Sequence, residues 1–444
     1  MRRGLLALIL AGCPTGAPSP TDPEASVVPL DPWYFGCDDI SGECAFEADQ
    51  RQLTLWTDFP EEVVLKVDGR VAETTEKSVD GGLQIKVVLA DLPAVVSLEG
   101  PNPGQRWTRR VVAKPKLPTA DEVDCDAPDV DPRPEAKAMT RVHCAWAATR
   151  VEDEEARAAA SKRLPDELYG AAQALSAAGW ETEAVRVQFQ ASFMIMHSGD
   201  SERAMEWAQQ LDPRREGTRR WGRAMLIAQT ARRLAHYRQS SQTVDEALAV
   251  VNRLSLPAHR RDDSKSMKAT LAASIGDLNT AVDVYSELAV EHDETDPCDR
   301  ALAVNRENLA WFELLRRRAK RPPKREVDPR ALLLLAKNRF EQCGGSAEDR
   351  GSVLTNLAFE SWSREAWAET LDTVSQLPAT PDPLVRGWSA ALSGRAHLRL
   401  GNFDAAFDDA DRASKIAIDQ DLPDIAVFAL LTQAEVAIAQ GDAK

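Results

Sequence analysis

The sequence predicts a mainly α-helical chain, a long array of helical hairpins preceded by a small all-β domain. Three observations predict it. Between about residues 44 and 115 apolar residues alternate with period two, the signature of half-buried strands. From Glu135 onward that period vanishes, and Ala, Leu, Glu and Arg recur at helical spacing,. Within the helical part a glycine is repeatedly followed five residues later by alanine: Gly179 and Ala184, Gly199 and Ala204, Gly276 and Ala281, Gly401 and Ala406. Each glycine closes a helix and each alanine lets the next helix pack closely, so the recurrence favours a repeat array over a bundle. Of 444 residues, 43% are hydrophobic and 28% charged, enough apolar material for a sizeable core and too much for a disordered chain,. The 54 basic and 70 acidic residues leave a net charge of −16. That balance argues against the nucleic-acid backbone as a main partner.

The first element is an address. Met1-Arg2-Arg3 precedes the apolar run Gly4 to Leu10 and the small residues Ala11-Gly12-Cys13, the plan of a secretory signal and too short to span a bilayer. Leu10-Ala11-Gly12-Cys13 resembles the lipobox of bacterial lipoproteins. The resemblance implies a signal peptide over residues 1–12, cleavage before Cys13 and lipidation of its thiol. Residues 13–32 carry Pro14, Pro18, Pro20, Pro23, Pro29 and Pro32 and read as an extended tether. Pro14, where an Asp would mark inner-membrane retention in some bacteria, favours an outer-membrane anchor facing the periplasm or the cell surface.

Residues 33–115 form the expected β domain, a small antiparallel sandwich or barrel of five or six strands. Leu53, Leu55 and Thr57 alternate with Gln52, Thr54 and Trp56; Leu83, Ile85, Val87 and Leu89 alternate with Gln84, Lys86 and Val88; Asp68-Gly69 and Asp80-Gly81-Gly82 supply turns,. Val63 to Val67, Val95 to Leu98 and Trp107 to Val112 read as further strands, with Trp56 and Trp107 as core residues and a sugar-stacking platform as the alternative. Residues 116–134 form an acidic, Pro-rich linker. Its Asp121, Glu122, Asp124, Asp126, Asp129 and Asp131 invite a calcium reading, but the EF-hand spacing fails at Pro128,.

Apart from Cys13, six cysteines remain, an even number in a compartment that permits disulfides,. Six cysteines allow about 15 connectivities, and free buried thiols are the alternative for each. Cys37 and Cys44 bracket the polar loop Asp38 to Glu43 and can pair locally. Cys298 begins a predicted helix and Cys343 ends the next, which brings antiparallel ends together. Cys125 and Cys144 are what is left.

Residues 135–444 are the array. Phe403, Ala406, Phe407, Ala410, Ala413 and Ala417 form one helical stripe,. The segment Gly394-Arg395-Ala396-His397-Leu398-Arg399-Leu400-Gly401-Asn402-Phe403-Asp404-Ala405-Ala406 resembles the tetratricopeptide repeat (TPR), as does Gly276 to Ala281 with Tyr285. Asn308-Leu309-Ala310-Trp311 and Asn356-Leu357-Ala358-Phe359 look like the first-helix signature of two more copies. His397 and Ala410 stand where the family favours Tyr and an aromatic, and the glycine gaps of 20, 77, 125 and 40 residues are irregular. The 20-residue gap places Gly179 and Gly199 at opposite ends of one helix. The whole order also resembles the amino-terminal, non-catalytic half of bacterial TPR proteins that end in a CHAT domain, a caspase-like protease fold. The catalytic half is not in this sequence, and the ending at Gly441-Asp442-Ala443-Lys444, where a repeat turn begins, suggests a truncated or split frame.

Chemistry has little purchase. No HExxH, GxSxG, P-loop, GxGxxG or CxxC pattern occurs,. His143-Cys144 is the one close His and Cys pair, and neighbours on a helix point about 100° apart, unsuited to a nucleophile and its base. Glu152-Asp153-Glu154-Glu155 reads as a solvated helix start. Arg316 to Arg325, rich in Arg and Lys, reads as a long exposed inter-helix loop, with an anionic surface as the alternative ligand. The chain is therefore expected to be a non-enzymatic, membrane-anchored scaffold without cofactor or metal, holding a protein or peptide in a concave repeat groove. The CHAT resemblance implies the alternative of a sensor half serving a caspase-like catalytic partner. A third reading makes the β domain a binder of carbohydrate or envelope polymer.

Overall fold

The computed structural model describes residues 30–441, apart from 48–49, 60–62, 128–130, 212–215, 292–297, 323–325, 380–381 and 421. The signal segment, Cys13 and all but the last three residues of the tether lie outside the described residues, as do Pro128, His292, Lys324, Arg325 and Asp442 to Lys444. The chain divides into two compact units. One comprises Glu43–Lys114 with the chain up to Cys37, the other Pro115–Lys444 with Asp38–Gly42.

In the β unit, Asp68-Gly69 and Asp80-Gly81 both take positive φ, at 48° and 77° and at 50° and 77°. That is the two-residue turn whose twist matches a hairpin. The strands are β1 (Trp33–Phe35), β2 (Asp38–Ile40), β3 (Glu43–Phe46), β4 (Gln52–Thr57), β5 (Val64–Val67), β6 (Arg70–Val71), β7 (Thr75–Val79), β8 (Gly82–Val88), β9 (Ala94–Glu99) and β10 (Arg106–Ala113). They form a four-stranded sheet, β1-β4-β8-β7, and a six-stranded sheet, β2-β3-β10-β9-β5-β6. Pairing of β10 with β3 is parallel. Leu53, Leu55, Ile85 and Val87 of the first sheet share one core with Phe46, Leu65, Val96, Leu98 and Val111 of the second, so the unit is a sandwich.

Two expectations for this unit need correction. Ten strands are present among the described residues instead of five or six. The missed ones are short or polar. β7 reads Thr-Glu-Lys-Ser-Val and is an exposed edge strand, where charge protects the open edge and erases the alternation. The expected polar loop between Cys37 and Cys44 is instead β2 followed by a Ser41-Gly42 turn with φ of 51° and 81°. Alternation also fails on β4, where every residue after Gln52 is buried. The cause lies across the strand pair: Trp33 sits opposite Trp56 with ring centroids 5.2 Å apart. Trp56 Nε1 donates to the Val79 carbonyl at 3.0 Å. Trp56 is therefore core, and Trp107 packs partly buried against the same core.

The second unit is helical: α1 (Pro134–Ala148), α2 (Glu154–Ala177), α3 (Glu181–His197), α4 (Ser201–Gln210), α5 (Gly217–Arg233), α6 (Tyr237–Leu254), α7 (Ala258–Ser274), α8 (Leu278–Glu291), α9 (Arg300–Arg318), α10 (Pro329–Gln342), α11 (Ala347–Ser363), α12 (Trp367–Ser375), α13 (Pro383–Arg399), α14 (Phe403–Asp419) and α15 (Pro423–Gln440). Starts are chemically marked. Asp153, Asp200, Asp299, Asp328 and Asp382 accept backbone N–H groups at N-caps, and Pro opens α1, α10, α13 and α15,. Consecutive helices pack on each other, and so do alternate ones: α3 on α5, α5 on α7, α9 on α11, α11 on α13 and α13 on α15. The odd-numbered helices from α3 to α15 start at residues 181, 217, 258, 300, 347, 383 and 423. The hairpin thus recurs every 36 to 47 residues, a regularity that the glycine gaps hide because only some hairpins carry the glycine.

Where it is present, the glycine motif does what its chemistry demands. Gly179, Gly199, Gly276 and Gly401 all have positive φ just beyond a helix end, between 78° and 99°. Ala184, Ala204, Ala281 and Ala406 are at most 3% exposed. Gly394 lies inside α13, where a Cβ would come within 3.1 Å of the Ala406 carbonyl oxygen and the Ala410 nitrogen on α14. This approach explains why Ala410 replaces the aromatic of the TPR pattern: the backbones leave room for a methyl group alone. Phe407 does not belong to the buried stripe; it is 48% exposed, one residue and about 100° round the helix from Ala406,.

Candidate functional site

Among the described residues a groove of about 920 Å³ crosses α3, α5 and α7 of the helical unit. Helical spacing builds it. Arg186, Phe189, Gln190 and Phe193 stand at i, i+3, i+4 and i+7 on α3 and present one face,. Gly222, Arg223, Met225, Gln229, Arg232 and Arg233 line it from α5, and Asp263, Ser266, Met267 and Thr270 from α7. Phe189 and Phe193 are near parallel, 6.3 Å apart and 16° between planes. Gly222 keeps the floor open, since a Cβ there would meet only the Phe189 ring edge at 4.0 Å.

One end of the groove is rigid. Glu216 caps α5, accepting from Thr218 N at 2.9 Å and Arg219 N at 2.5 Å. Burial pushes its carboxyl above the usual range, opposed by the Arg219 guanidinium. Arg219 is itself only 4% exposed and donates from Nη2 to Thr182 Oγ1 at 2.9 Å. Arg260 lies over the Trp221 ring at 4.1 Å, and Trp221 Nε1 donates to Ser264 Oγ at 2.9 Å. Several buried polar atoms find no hydrogen-bond partner among the described residues: Arg219 Nε and Nη1, Nε of Arg223 and Arg232, and Oε1 of Gln190 and Gln229. Such groups are costly to leave unpaired.

None of these groove residues was singled out by sequence reasoning. Each is a lone Arg, Gln or Phe on an amphipathic helix, indistinguishable there from a solvated face or core. One signal was available: Arg186, Arg223 and Arg260 recur at intervals of 37 residues, within the range of the hairpin period.

The residues that the sequence did single out lie elsewhere. Cys37 is joined to Cys44, Cys125 to Cys144 and Cys298 to Cys343, with Cα separations of 5.4, 5.4 and 5.3 Å. Cys144 is thus bonded, not a buried free thiol, and His143 Nε2 lies 3.1 Å from the Pro118 carbonyl oxygen. The acidic segment before α1 is pinned by that disulfide, by an Asp131 to Arg133 ion pair at 2.7 Å and by a capping box between Thr119 and Glu122.

The basic run is exposed from Arg317 to Pro322, as expected, but it begins as the last turn of α9 and not as a loop, and Arg316 is buried. Arg316 is 2% exposed and ion-paired with buried Glu313, Arg317 donates to Glu313 and to the Val327 carbonyl, and Arg318 stacks over Trp362 at 4.8 Å. Of these charges only that of Arg316 is buried; Lys320 and Arg321 are exposed like Arg317 and Arg318. Among the described residues no group of three or more His, Cys, Asp or Glu is placed to hold a metal, and no helix is long and apolar enough to cross a membrane.

Fold and groove together define a TPR-like helical-repeat protein with a β-sandwich unit ahead of the array. The chain is similar to the crystal structure of BtubC (BKLC) from P. vanneervenii, with 19% identity, 51% of this chain and 92% of that one covered, and a TM-score of 0.39. It is also similar to a Signal Transduction ATPase with Numerous Domains protein with a tetratricopeptide repeat sensor from Pyrococcus horikoshii, at 11% identity, 69% coverage of this chain and a TM-score of 0.47. The match spans 47% of that protein's length. The apo form of RapI matches at 10% identity, over 72% of this chain and 97% of its own, with a TM-score of 0.40. No protein-family model and no curated protein matches the sequence.

Proposed function

We propose that the chain is a non-catalytic protein-interaction scaffold of a bacterial envelope, held at a membrane through a lipid on Cys13, with the outer membrane as its site. The groove across α3, α5 and α7 carries the reading. Three successive inner helices present apolar rings and polar atoms without internal partners into one concavity, and stacked hairpins hold such a surface rigid for a partner segment. Export is supported by the lipobox-like Leu10 to Cys13 and by three disulfides, which persist in oxidising compartments,.

A photoreactive phenylalanine analogue at exposed Phe193, in the full chain expressed in its host, tests the docking role against the same analogue at Val290, an exposed position on α8. A polypeptide adduct specific to Phe193 and lost when Gly222→Leu fills the groove is expected; equal labelling at both positions refutes it. The anchor is tested by isotopic palmitate labelling, which Cys13→Ser must abolish.

A further inference from the structure

We propose that the α3, α5 and α7 groove takes an acidic peptide segment about six residues long, in which carboxylate side chains flank an aromatic or aliphatic one. The inference rests on the groove reading above and names the chemistry of its occupant.

Charge is the first ground. In a chain of net charge −16, the groove is lined by Arg186, Arg219, Arg223, Arg232, Arg233 and Arg260 against three acids, Asp38, Glu216 and Asp263, with Glu183 one turn before Arg186 pairing its Nε at 2.6 Å. Glu216 is committed to the cap of α5, and burial pushes both its carboxyl and that of Asp263 upward. The cations are under strain of the same kind. Burial lowers the pKa of Arg232, with Arg233 beside it adding repulsion, and burial also lowers that of Arg260. A carboxylate entering the groove relieves this strain, and guanidinium groups meet carboxylates in strong, directional pairs.

The unpaired atoms supply the second ground. Arg219, Arg223 and Arg232 hold N–H donors without hydrogen-bond partners, Arg219 Nε lying 3.8 Å from Glu216 Oε2, whereas Gln190 and Gln229 hold carbonyl oxygens without hydrogen-bond partners. Inorganic phosphate or polyphosphate offers acceptors for the first set and little for the second. A peptide satisfies both, with side-chain carboxylates accepting from arginine and backbone N–H groups donating to glutamine. The third ground is the apolar lining of Phe189, Phe193, Met196, Met225 and Met267, since thioethers and rings adapt to a buried side chain. Adjacent helices lie about 10 Å apart, so three inner helices span about 20 Å. An extended segment at about 3.3 Å per residue covers that in about six residues.

The test is fluorescence anisotropy of the full chain with three labelled hexapeptides: one with Glu flanking a Phe-Leu pair, its Gln counterpart and its Lys counterpart. The acidic peptide is expected to bind at least about tenfold tighter than the Gln peptide. Arg186→Glu and Arg223→Glu should each weaken it about tenfold or more. Gly222→Leu should abolish binding and Gly222→Ala retain it, with thermal unfolding showing that all four variants are folded. Equal binding of the acidic and Gln peptides, both lost in Gly222→Leu, overturns the charge assignment while leaving the groove a docking site. Acidic-peptide binding that survives Gly222→Leu overturns it by placing the contact elsewhere. Binding of polyphosphate or phosphatidylglycerol vesicles through Arg223, with no peptide bound, assigns the groove to a phosphate-bearing ligand and overturns it too. If none of these probes binds, the inference fails, and the Phe193 adduct alone then decides whether the groove docks a protein.

Discussion

Glu307→Gln should make the protein more stable at pH 8 and leave it unchanged near pH 4. Glu307 lies on α9, 7% exposed, and its Oε1 accepts from Ser352 Oγ at 2.5 Å and Asn356 Nδ2 at 2.8 Å on α11. Burial pushes its carboxyl from 4.5 up to about 7, outweighing those two hydrogen bonds; Asp349 adds a smaller upward push. The native state therefore keeps the proton to about pH 7, whereas the unfolded chain loses it near 4.5. Between those limits the native state binds more protons, so stability falls as pH rises through the window and is level above it. A shift of this size corresponds to roughly 3 kcal/mol. Glutamine is uncharged at every pH and nearly isosteric with the protonated acid. Thermal unfolding of wild type and variant, followed by circular dichroism at pH 4, 6 and 8, reads the difference directly. Coincident midpoints at pH 4 that separate progressively toward pH 8, with the variant higher, are expected. A midpoint difference that is the same at all three pH values would refute the reasoning, because it would reflect packing and not titration.

Removing the Cys298 to Cys343 disulfide with Cys343→Ser frees a loop of 45 residues and should cost about 2 to 4 kcal/mol in urea unfolding; an unchanged midpoint under oxidising conditions would show that the bond contributes nothing. Arg316→Ala removes the buried partner of Glu313, 1% exposed, while Arg317 still donates to it at 2.8 Å, and should cost about 1 to 3 kcal/mol. Adding Glu313→Leu to it should recover part of that loss in the same assay, and strictly additive losses would contradict the pair. Gly222→Ala should stabilise the chain by about 0.5 to 1 kcal/mol, because the methyl group meets open space on a helix,; a lowered melting temperature would mean that Phe189 cannot accommodate it.

What the sequence disclosed and what it hid have one physical cause. Features written in consecutive residues are legible: the turns Asp68-Gly69 and Asp80-Gly81, the glycines that close α2, α3, α7 and α13, and the two Asn-Leu-Ala-aromatic motifs. The motifs illustrate how far this reaches. Ala310 and Ala358 are both fully buried, Trp311 and Phe359 meet edge to face at 5.1 Å, and Asn356 spans from its own motif to Glu307 beside the other. A pattern recognised as repetition is in fact one helix–helix interface read twice. Connectivity of the six cysteines is a different kind of fact. Local pairing is suggested by position, but about 15 arrangements satisfy the count, and only the hairpin's return brings Cys343 at the end of α10 to Cys298 before α9.

Charge is legible only in part for the same reason. Arg316 to Arg318 look alike because they are adjacent in sequence, yet Arg316 is buried against Glu313 one turn earlier, whereas Arg317 and Arg318 are exposed. Conversely, Arg186, Arg223 and Arg260 look unrelated because 37 residues separate each from the next, and the return of the inner helices α3, α5 and α7 brings them to one groove. In an array, charges that act together are those that neighbouring inner helices carry to one groove, and adjacency in sequence does not identify them.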